Sequence, residues 1–414
     1  MKILNISVKA NTIFPKGIDI PFETFDGVRK NNSNHNFFMQ AYKIKPSMYS
    51  QVLIGLIGLN ATGKTSALEL ISLALRIVVD DDVLSQEVLT KILDKFLSHD
   101  NKLELAIKFT HKTKVFLLES VITKNHDKYE FADEVLKQAK LSDYNAKNGV
   151  EQFSVLTNRK QVLTENKYFR KDCSIVTTIH EFNECFISNL RWVNNNQALW
   201  TGHIDSELVE CFDSGIDQVY IDNNQEVPTA KVKFKYDQTE SIKSTQDLKD
   251  LLSSGTIKGL SMLPGVMKVL KSGGYYIVDE LENHFNKKII DFVMSLFTDS
   301  RSNPHGACLI FSTHYPEILD FISRKDDIFV CLRDFDNALT INRFSNFECV
   351  NRNDVLKSNI ILKNLISGTA PRLKHLNAAR EYITNYVIGA SSLWSSMITV
   401  SSTLSAKVLT RKRF

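Results

Sequence analysis

The stretch GLIGLNATGKTSALEL, Gly55 to Leu70, contains the spacing GxxxxGKT between Gly58 and Thr65. Gly58 and Gly63 let the backbone curl so that successive N–H groups, through Asn60, Ala61, Thr62 and on to Ser66, point inward at phosphate oxygens. Lys64 reaches toward the β- and γ-phosphates of a bound nucleotide, and the Thr65 hydroxyl is placed to hold Mg2+. The helix that follows turns its positive end to the same anion. The chemistry implied is binding of ATP with Mg2+. The apolar run Val52 to Ile57 before the loop, and Leu68, Ile71 and Leu75 at helical spacing after it, supply the strand–loop–helix setting that a chance glycine-rich turn lacks.

A second constellation is YYIVDELENHF, Tyr275 to Phe285. Four apolar residues carry Asp279 to the carboxyl end of a buried strand, where ligands sit in open parallel sheets. Asp279 is a candidate for holding Mg2+ through water, and Glu280 for orienting or deprotonating an attacking water. Without the phosphate loop, DELE would read better as a charged strand-to-helix turn. In LLSSGT, Leu251 to Thr256, the residues Ser253, Ser254 and Gly255 open a helix and would suit a γ-phosphate. Locally this cannot be told from an ordinary serine N-cap, and only the order of motifs separates the two readings. In IFSTHYPEIL, His314 stands just past another core strand, where an imidazole can hydrogen-bond a γ-phosphate and sense its loss. His35, His111 and His203 have no such setting and are expected at the surface.

The elements that must position these residues follow from periodicity. Met1 to Ala10 and Gly17 to Phe25 read as strands, and RKNNSNHNFF as a loop. A helix carries Leu84, Val88, Leu89, Ile92, Leu93 and Phe96 on one face. Leu103, Leu105, Ile107 and Phe109, the turn HKTK, and Val115 to Ile122 make a hairpin. From about 125 to 248 the chain is more polar and less regular. A helix is expected within His180 to Trp200, and Val232, Phe234 and Tyr236 alternate as in an exposed strand. A helix over Thr256 to Leu270, a turn at Gly273 and Gly274, a helix over Asn286 to Phe297, the strand ACLIFST and strands Ile328 to Leu332 and Leu339 to Phe344 complete the pattern. No heptad run or internal repeat is present. The expected organisation is an N-terminal core part with phosphate loop and hairpin lobe over 1–124, an inserted lobe over 125–248, a C-terminal core part over 249–350, and C-terminal helices with an uncharged tail over 351–414.

Composition is that of a soluble globular chain, with 43% hydrophobic and 24% charged residues. The net charge of +4 permits contact with nucleic acid without arguing for it. Six cysteines are scattered with no CxxC pair, which excludes a zinc or redox motif of that kind. Met1 to Ala10 reads as a strand rather than a leader, so the chain is expected to be cytoplasmic with reduced thiols. Ile383 to Ala406 carries no charge. Its seven serines make it too polar for a membrane span, and a packing helix or loose tail is expected.

The order of phosphate loop, inserted lobe, LSSGT, IVDELE and STH resembles the ABC-type ATPase heads of the RecF, SMC and OLD groups. GLNATGKT is similar to their GxNGxGKS/T loop, with Asn60 at the usual place and Ala61 where the second glycine stands. The match covers about Met1 to Glu69 and Leu251 to Leu332, with weaker likeness to Tyr382. It implies an α/β, RecF/SMC-like head with a mixed β-sheet core and an inserted α/β lobe. It also implies that two copies, or a higher oligomer, sandwich ATP, with Lys64 and Thr65 of one copy facing Ser254 and Gly255 of the other. Closure on ATP would be undone by hydrolysis through Glu280. A Q-loop glutamine finds no counterpart, since Gln51 precedes the strand instead of lying in the lobe.

Among these relatives, the interval from Thr65 to Leu251 is too short for SMC-type coiled-coil arms, and the N-terminal opening is unlike a transporter subunit. The residues after His314 offer no paired acidic DxD with an upstream glutamate that reads as the metal site a nuclease domain would require. Ser367 to Tyr382 looks like the closing helix of stand-alone OLD-like ATPases, which occur in two-gene antiphage systems of the PARIS and Septu types. The implied role is an ATP-hydrolysing sensor or scaffold that controls a separate nuclease or toxin. The alternatives are a repair ATPase acting on DNA, with Lys258, Lys268, Lys271, Lys287 and Lys288 as a candidate basic surface, and an assembly protein that binds ATP without turning it over.

Overall fold

Leu53–Ile57, Tyr275–Val278 and Cys308–Thr313 are buried along their whole length. They belong to a parallel sheet covered on both faces, which is why they read as unbroken apolar runs. The structure, a computed structural model, describes residues 1–25, 37–126, 128–145, 152–178, 187–190, 202–222, 229–237, 239, 241–244, 247–350, 356–371 and 373–388. Across the sheet the order is Ile187–Leu190, Tyr275–Val278, Cys308–Thr313, Leu53–Ile57, Ile328–Arg333 and Leu339–Arg343. The first five are parallel and the last is antiparallel. Thr313 pairs with Ile57 and Val278 with Phe311. Gly58, Asp279 and His314 therefore leave the sheet at the same edge, the carboxyl end of its strands.

Lys64–Val79 lies against one face of this sheet and is buried nearly all round. Beyond it stands a six-stranded antiparallel sheet, ordered Ser154–Asn158, Lys128–Lys140, Lys114–Asn125, Lys102–His111, Lys2–Val8 and Ile18–Pro21. One apolar core joins the helix to both sheets, through Ile54, Leu56, Ile277 and Ile310 on one side and Ile3, Ile6, Ile107 and Leu118 on the other. The opposite face of the parallel sheet packs Val278, Leu309 and Phe311 against Val266 and Val269 of Ser254–Ser272 and Val293 and Phe297 of Lys287–Thr298.

Several expectations are corrected. The hairpin does not end where the composition turns polar: Lys128–Lys140 and Ser154–Asn158 extend the same sheet, with Tyr129, Phe131 and Leu136 facing its core. Within His180 to Trp200, Ile187–Leu190 is an edge strand pairing with Tyr275–Val278, and the rest of that stretch lies outside the described residues. Val232 is not on an exposed strand. It is buried in a four-stranded antiparallel sheet, Gly202–Ile204, Ile216–Asp222, Thr229–Phe234 and Ser241–Ser244, whose core includes Ile257 and Leu260. Tyr236 lies beyond that strand and is exposed. Leu84 belongs to a separate 3-10 turn before the helix Glu87–Phe96. The expected second strand is divided between Ile18–Pro21 and Glu23–Thr24. The latter joins a small sheet with Ala41–Lys45 and Met48–Gln51, two strands missed because they are short and half polar. The closing helix spans 373–388 and is exposed along its length. The loop over 26–36 and the tail over 389–414 lie outside the described residues. No helix among the described residues is long and apolar enough to cross a membrane.

Candidate nucleotide site

The loop after Leu53–Ile57 is built as its glycines require. Gly63 has φ 88°, the left-handed region, and a Cβ on Gly58 would stand 2.4 Å from the Cys331 carbonyl oxygen. Ala61 has φ 60°, so it takes up the left-handed conformation that glycine adopts without cost. The Ala61 carbonyl accepts a 2.8 Å bond from Arg333 Nη2, which braces that turn from the next strand. Thr62 Oγ1 donates to Leu59 O at 2.8 Å, while Asn60 and Ala61 are exposed at the lip and Ser66 is half-buried on the first helical turn.

Lys64 is buried, and its Nζ donates to the loop's own carbonyls, Gly58 O at 2.8 Å and Leu59 O at 2.9 Å. Burial pushes its pKa down, against the charges of nearby Asp279, Glu282 and Glu280. Lys64 Nζ also lies 3.2 Å from His314 Nδ1. An ammonium can only donate, so Nδ1 accepts and the ring proton sits on Nε2. That nitrogen is 3.3 Å from Glu280 Oε1. His314 thus bridges the lysine and the glutamate. Thr65 Oγ1 donates to Asp279 Oδ2 at 2.7 Å.

Four residues complete this edge that motif reasoning did not single out. Ser312 Oγ donates to Asp279 Oδ1 and accepts the Glu280 backbone N–H at 2.8 Å, so it holds the Asp279 carboxylate and the Glu280 backbone together. Asn283 Nδ2 donates to Glu280 Oε2. Glu282 Oε1 accepts the His314 N–H at 2.5 Å, while its buried Oε2 has no hydrogen-bond partner among the described residues. Lys258, expected on a basic surface, is buried and donates to the carbonyls of Glu280, Leu281 and Asn283. Burial brings its pKa down to about 8, against Glu282 and Glu280. A signal was present in DELEN, whose single apolar residue, Leu281, is buried in the core and leaves Glu282 beside the next strand. Gln51 sits at the other end of the loop strand, where its Nε2 donates to Asp326 O at 2.8 Å. His111 is half-buried rather than exposed, His203 is exposed, and His35 lies outside the described residues.

The structure does not bring the serine–glycine turn to the phosphate loop. Ser253 caps Ser254–Ser272, its Oγ accepting the Thr256 N–H at 3.1 Å. Ser254 Oγ lies 2.8 Å from His284 Nδ1, and a Cβ on Gly255 would approach His284 O to 2.6 Å. Among the described contacts none joins Ser253, Ser254 or Gly255 to Gly58–Ser66; Ser253 and Ser254 face solvent.

The Thr65 and Asp279 side-chain oxygens, bonded among the described residues to one another and to Ser312, are hard ligands of the kind Mg2+ takes. Lys64, resting on backbone carbonyls, has donors that phosphate oxygens could take over. Among the described residues no cluster of three or more His, Cys, Asp or Glu is placed for another metal. The mixed α/β core and its glycine loop define a nucleotide-binding AAA/ABC-type ATPase domain. Residues 53–320 match the family described as "AAA domain, putative AbiEii toxin, Type IV TA system", and the chain belongs to that family. No curated protein matches it.

Proposed function

We propose that the chain is an ATP-hydrolysing, ABC-type head of the RecF/SMC/OLD-like group. In this reading it is the sensor or scaffold subunit of a two-component antiphage system that controls a separate nuclease or toxin. The observation that carries the enzymatic part is the convergence of Lys64, Thr65, Asp279, Glu280 and His314 at one sheet edge. Lys64 would exchange the Gly58 and Leu59 carbonyls for the β- and γ-phosphates, with Gly58, Asn60, Ala61, Thr62, Gly63 and Ser66 framing the same anion. Thr65 and Asp279 would hold Mg2+, which when bound neutralises charge on the phosphate oxygens. Glu280 takes the proton of the attacking water, and the Nε2–H of His314 keeps its carboxylate aimed. The outward-facing Ser253 and Ser254, with the half-buried Gly255 beside them, would fit a site completed by a second copy. The two-component reading draws on the family's description, which names a toxin and a toxin–antitoxin system. The interval 125–248 is its proposed partner or trigger surface.

The test is Mg2+-dependent ATP turnover by wild type and Glu280→Gln, joined to a pull-down of tagged Glu280→Gln from the native host. Turnover should fall by about 10^2- to 10^4-fold with ATP affinity kept, and a nuclease- or toxin-like chain should come down in fixed ratio. Negligible wild-type turnover that the substitution leaves unchanged would favour the assembly protein. Retained DNA with no second chain would favour the repair ATPase.

A further inference from the structure

The first two turns of Ser254–Ser272 make a seam with the loop that carries Glu280. Ser254 touches the His284 ring, Gly255 lies close against the His284 carbonyl, and Lys258, one turn on, ends in three carbonyls of the same loop. The Lys258 bonds measure 3.1 Å to Glu280 O, 3.0 Å to Leu281 O and 2.8 Å to Asn283 O, which uses every N–H of the ammonium. The Phe285 ring lies 4.8 Å from the same nitrogen. Glu280 and His284, the two ends of the clamped loop, have φ 51° and 65°. Left-handed backbone at residues with a Cβ persists only where its surroundings over-determine it. A buried cation whose three donors all go to backbone is such a surrounding. A lysine that merely filled space would not need to bring a charge out of water.

We infer that Lys258 is a positioning residue. It clamps the Glu280 loop to the helix that begins at Ser254 and Gly255, so the carboxylate and the serine–glycine turn keep one fixed relation. Resting on the function proposed above, this means that whatever settles on Ser254 and Gly255 also sets the aim of Glu280. The loop amides report the clamp directly. Leu281 N–H bonds Ser312 O at 3.0 Å, Asn283 N–H bonds Glu280 O at 3.1 Å and Phe285 N–H bonds Glu282 O at 3.1 Å.

The experiment compares wild type with Lys258→Met and Lys258→Arg by hydrogen exchange over 279–285, ATP affinity and steady-state turnover. In Lys258→Met, exchange should quicken in that segment. kcat should fall by roughly tenfold or more, as misplacement of a reacting group does, while ATP affinity stays within about twofold because Lys64 and its loop are untouched. Lys258→Arg, which can donate to the same carbonyls, should recover part of both changes. The inference is overturned if exchange and kcat stay at wild-type values in Lys258→Met. It is equally overturned if kcat and ATP affinity fall together in both variants. Should Lys258→Met fail to fold, Lys258→Gln against Lys258→Arg is judged by the same split. If wild type turns over no ATP, the ATPase reading falls, and the exchange comparison still decides the clamp.

Discussion

Two clusters of charge, one within the antiparallel sheet and one at the carboxyl edge of the parallel sheet, are built on different plans. In the antiparallel sheet, Glu134 and Arg159 are almost wholly buried, with side chains 0% and 3% exposed. Glu134 Oε1 accepts from Ser174 and Ser120, and Oε2 from Arg159 Nη1 and the Ile175 N–H. Arg159 donates also to the carbonyls of Cys173, Arg170 and Lys171 and lies between the rings of Phe131 and Phe169. That cluster is closed on itself. At the edge of the parallel sheet, Glu280 is 42% and His314 30% exposed, Lys64 rests on backbone carbonyls, and Glu282 leaves an oxygen without a partner among the described residues. A buried charge whose every lone pair is used holds a fold together. One whose bonds can be exchanged is arranged for something that arrives later.

The largest effect should come from breaking the closed cluster. Arg159→Met leaves Glu134 buried without its countercharge, and removal of one partner of such a pair costs about 3–5 kcal/mol. Urea unfolding should register that loss, while ATP affinity of the folded fraction stays at the wild-type value. Glu134→Gln combined with Arg159→Met should recover much of the stability, since the stranded charge is gone. A fall in ATP affinity would mean that the clusters are coupled and would collapse the distinction.

The exchangeable cluster should respond the other way. Lys64→Ala removes a cation whose bonds among the described residues go to the loop and His314, so its loss should cost little in stability. ATP affinity should weaken by about 100-fold, the order expected for a lost charge-assisted contact to phosphate. Calorimetric titration with a slowly hydrolysed ATP analogue, beside a thermal melt, reads both. A variant that unfolds instead would make Lys64 a structural residue.

What could be read in advance divides along the same line. Gly58 to Ser66, Asp279, Glu280 and His314 were legible because a glycine spacing or an acidic pair at the end of an apolar run has a mechanical meaning in one dimension. Ser312, Asn283 and Glu282 were not singled out, and Lys258 was assigned to a basic surface, because their roles depend on register. Ser312 reaches Asp279 only because Phe311 pairs with Val278. The parallel strands were clear from unbroken apolar runs. Lys128–Lys140 escaped because its outward positions are charged and its pattern shifts at a bulge between Val121 and Ile122 of its partner. The strand Ile187–Leu190 reads as part of a helix because four residues are too few for a period-two pattern to show. That LSSGT should cap its own helix and also face outward could not be chosen locally, and both prove geometrically compatible.

The smallest effect separates a third arrangement, a carboxyl kept neutral. Glu23 Oε1 accepts from Tyr144 Oη, and its buried Oε2 has no hydrogen-bond partner among the described residues. Burial lifts its pKa to about 7, against the pull of the Tyr144 bond and the charges of Lys108 and Arg343. From about pH 4.5, where the unfolded chain gives up this proton, to pH 7, the folded chain keeps it. The folded state binds more protons there, so this group's contribution to stability falls as pH rises through the window and stays lost above it. Glu23→Gln cannot ionise and can still accept from Tyr144. It should match wild type near pH 4 and exceed it by about 1–3 kcal/mol at pH 8. Denaturant unfolding of both proteins across that range measures the difference. Parallel curves would mean that Glu23 ionises in the fold as it does in water, with Lys108 and Arg343 sufficing as countercharge, and would move it into the closed class with Glu134.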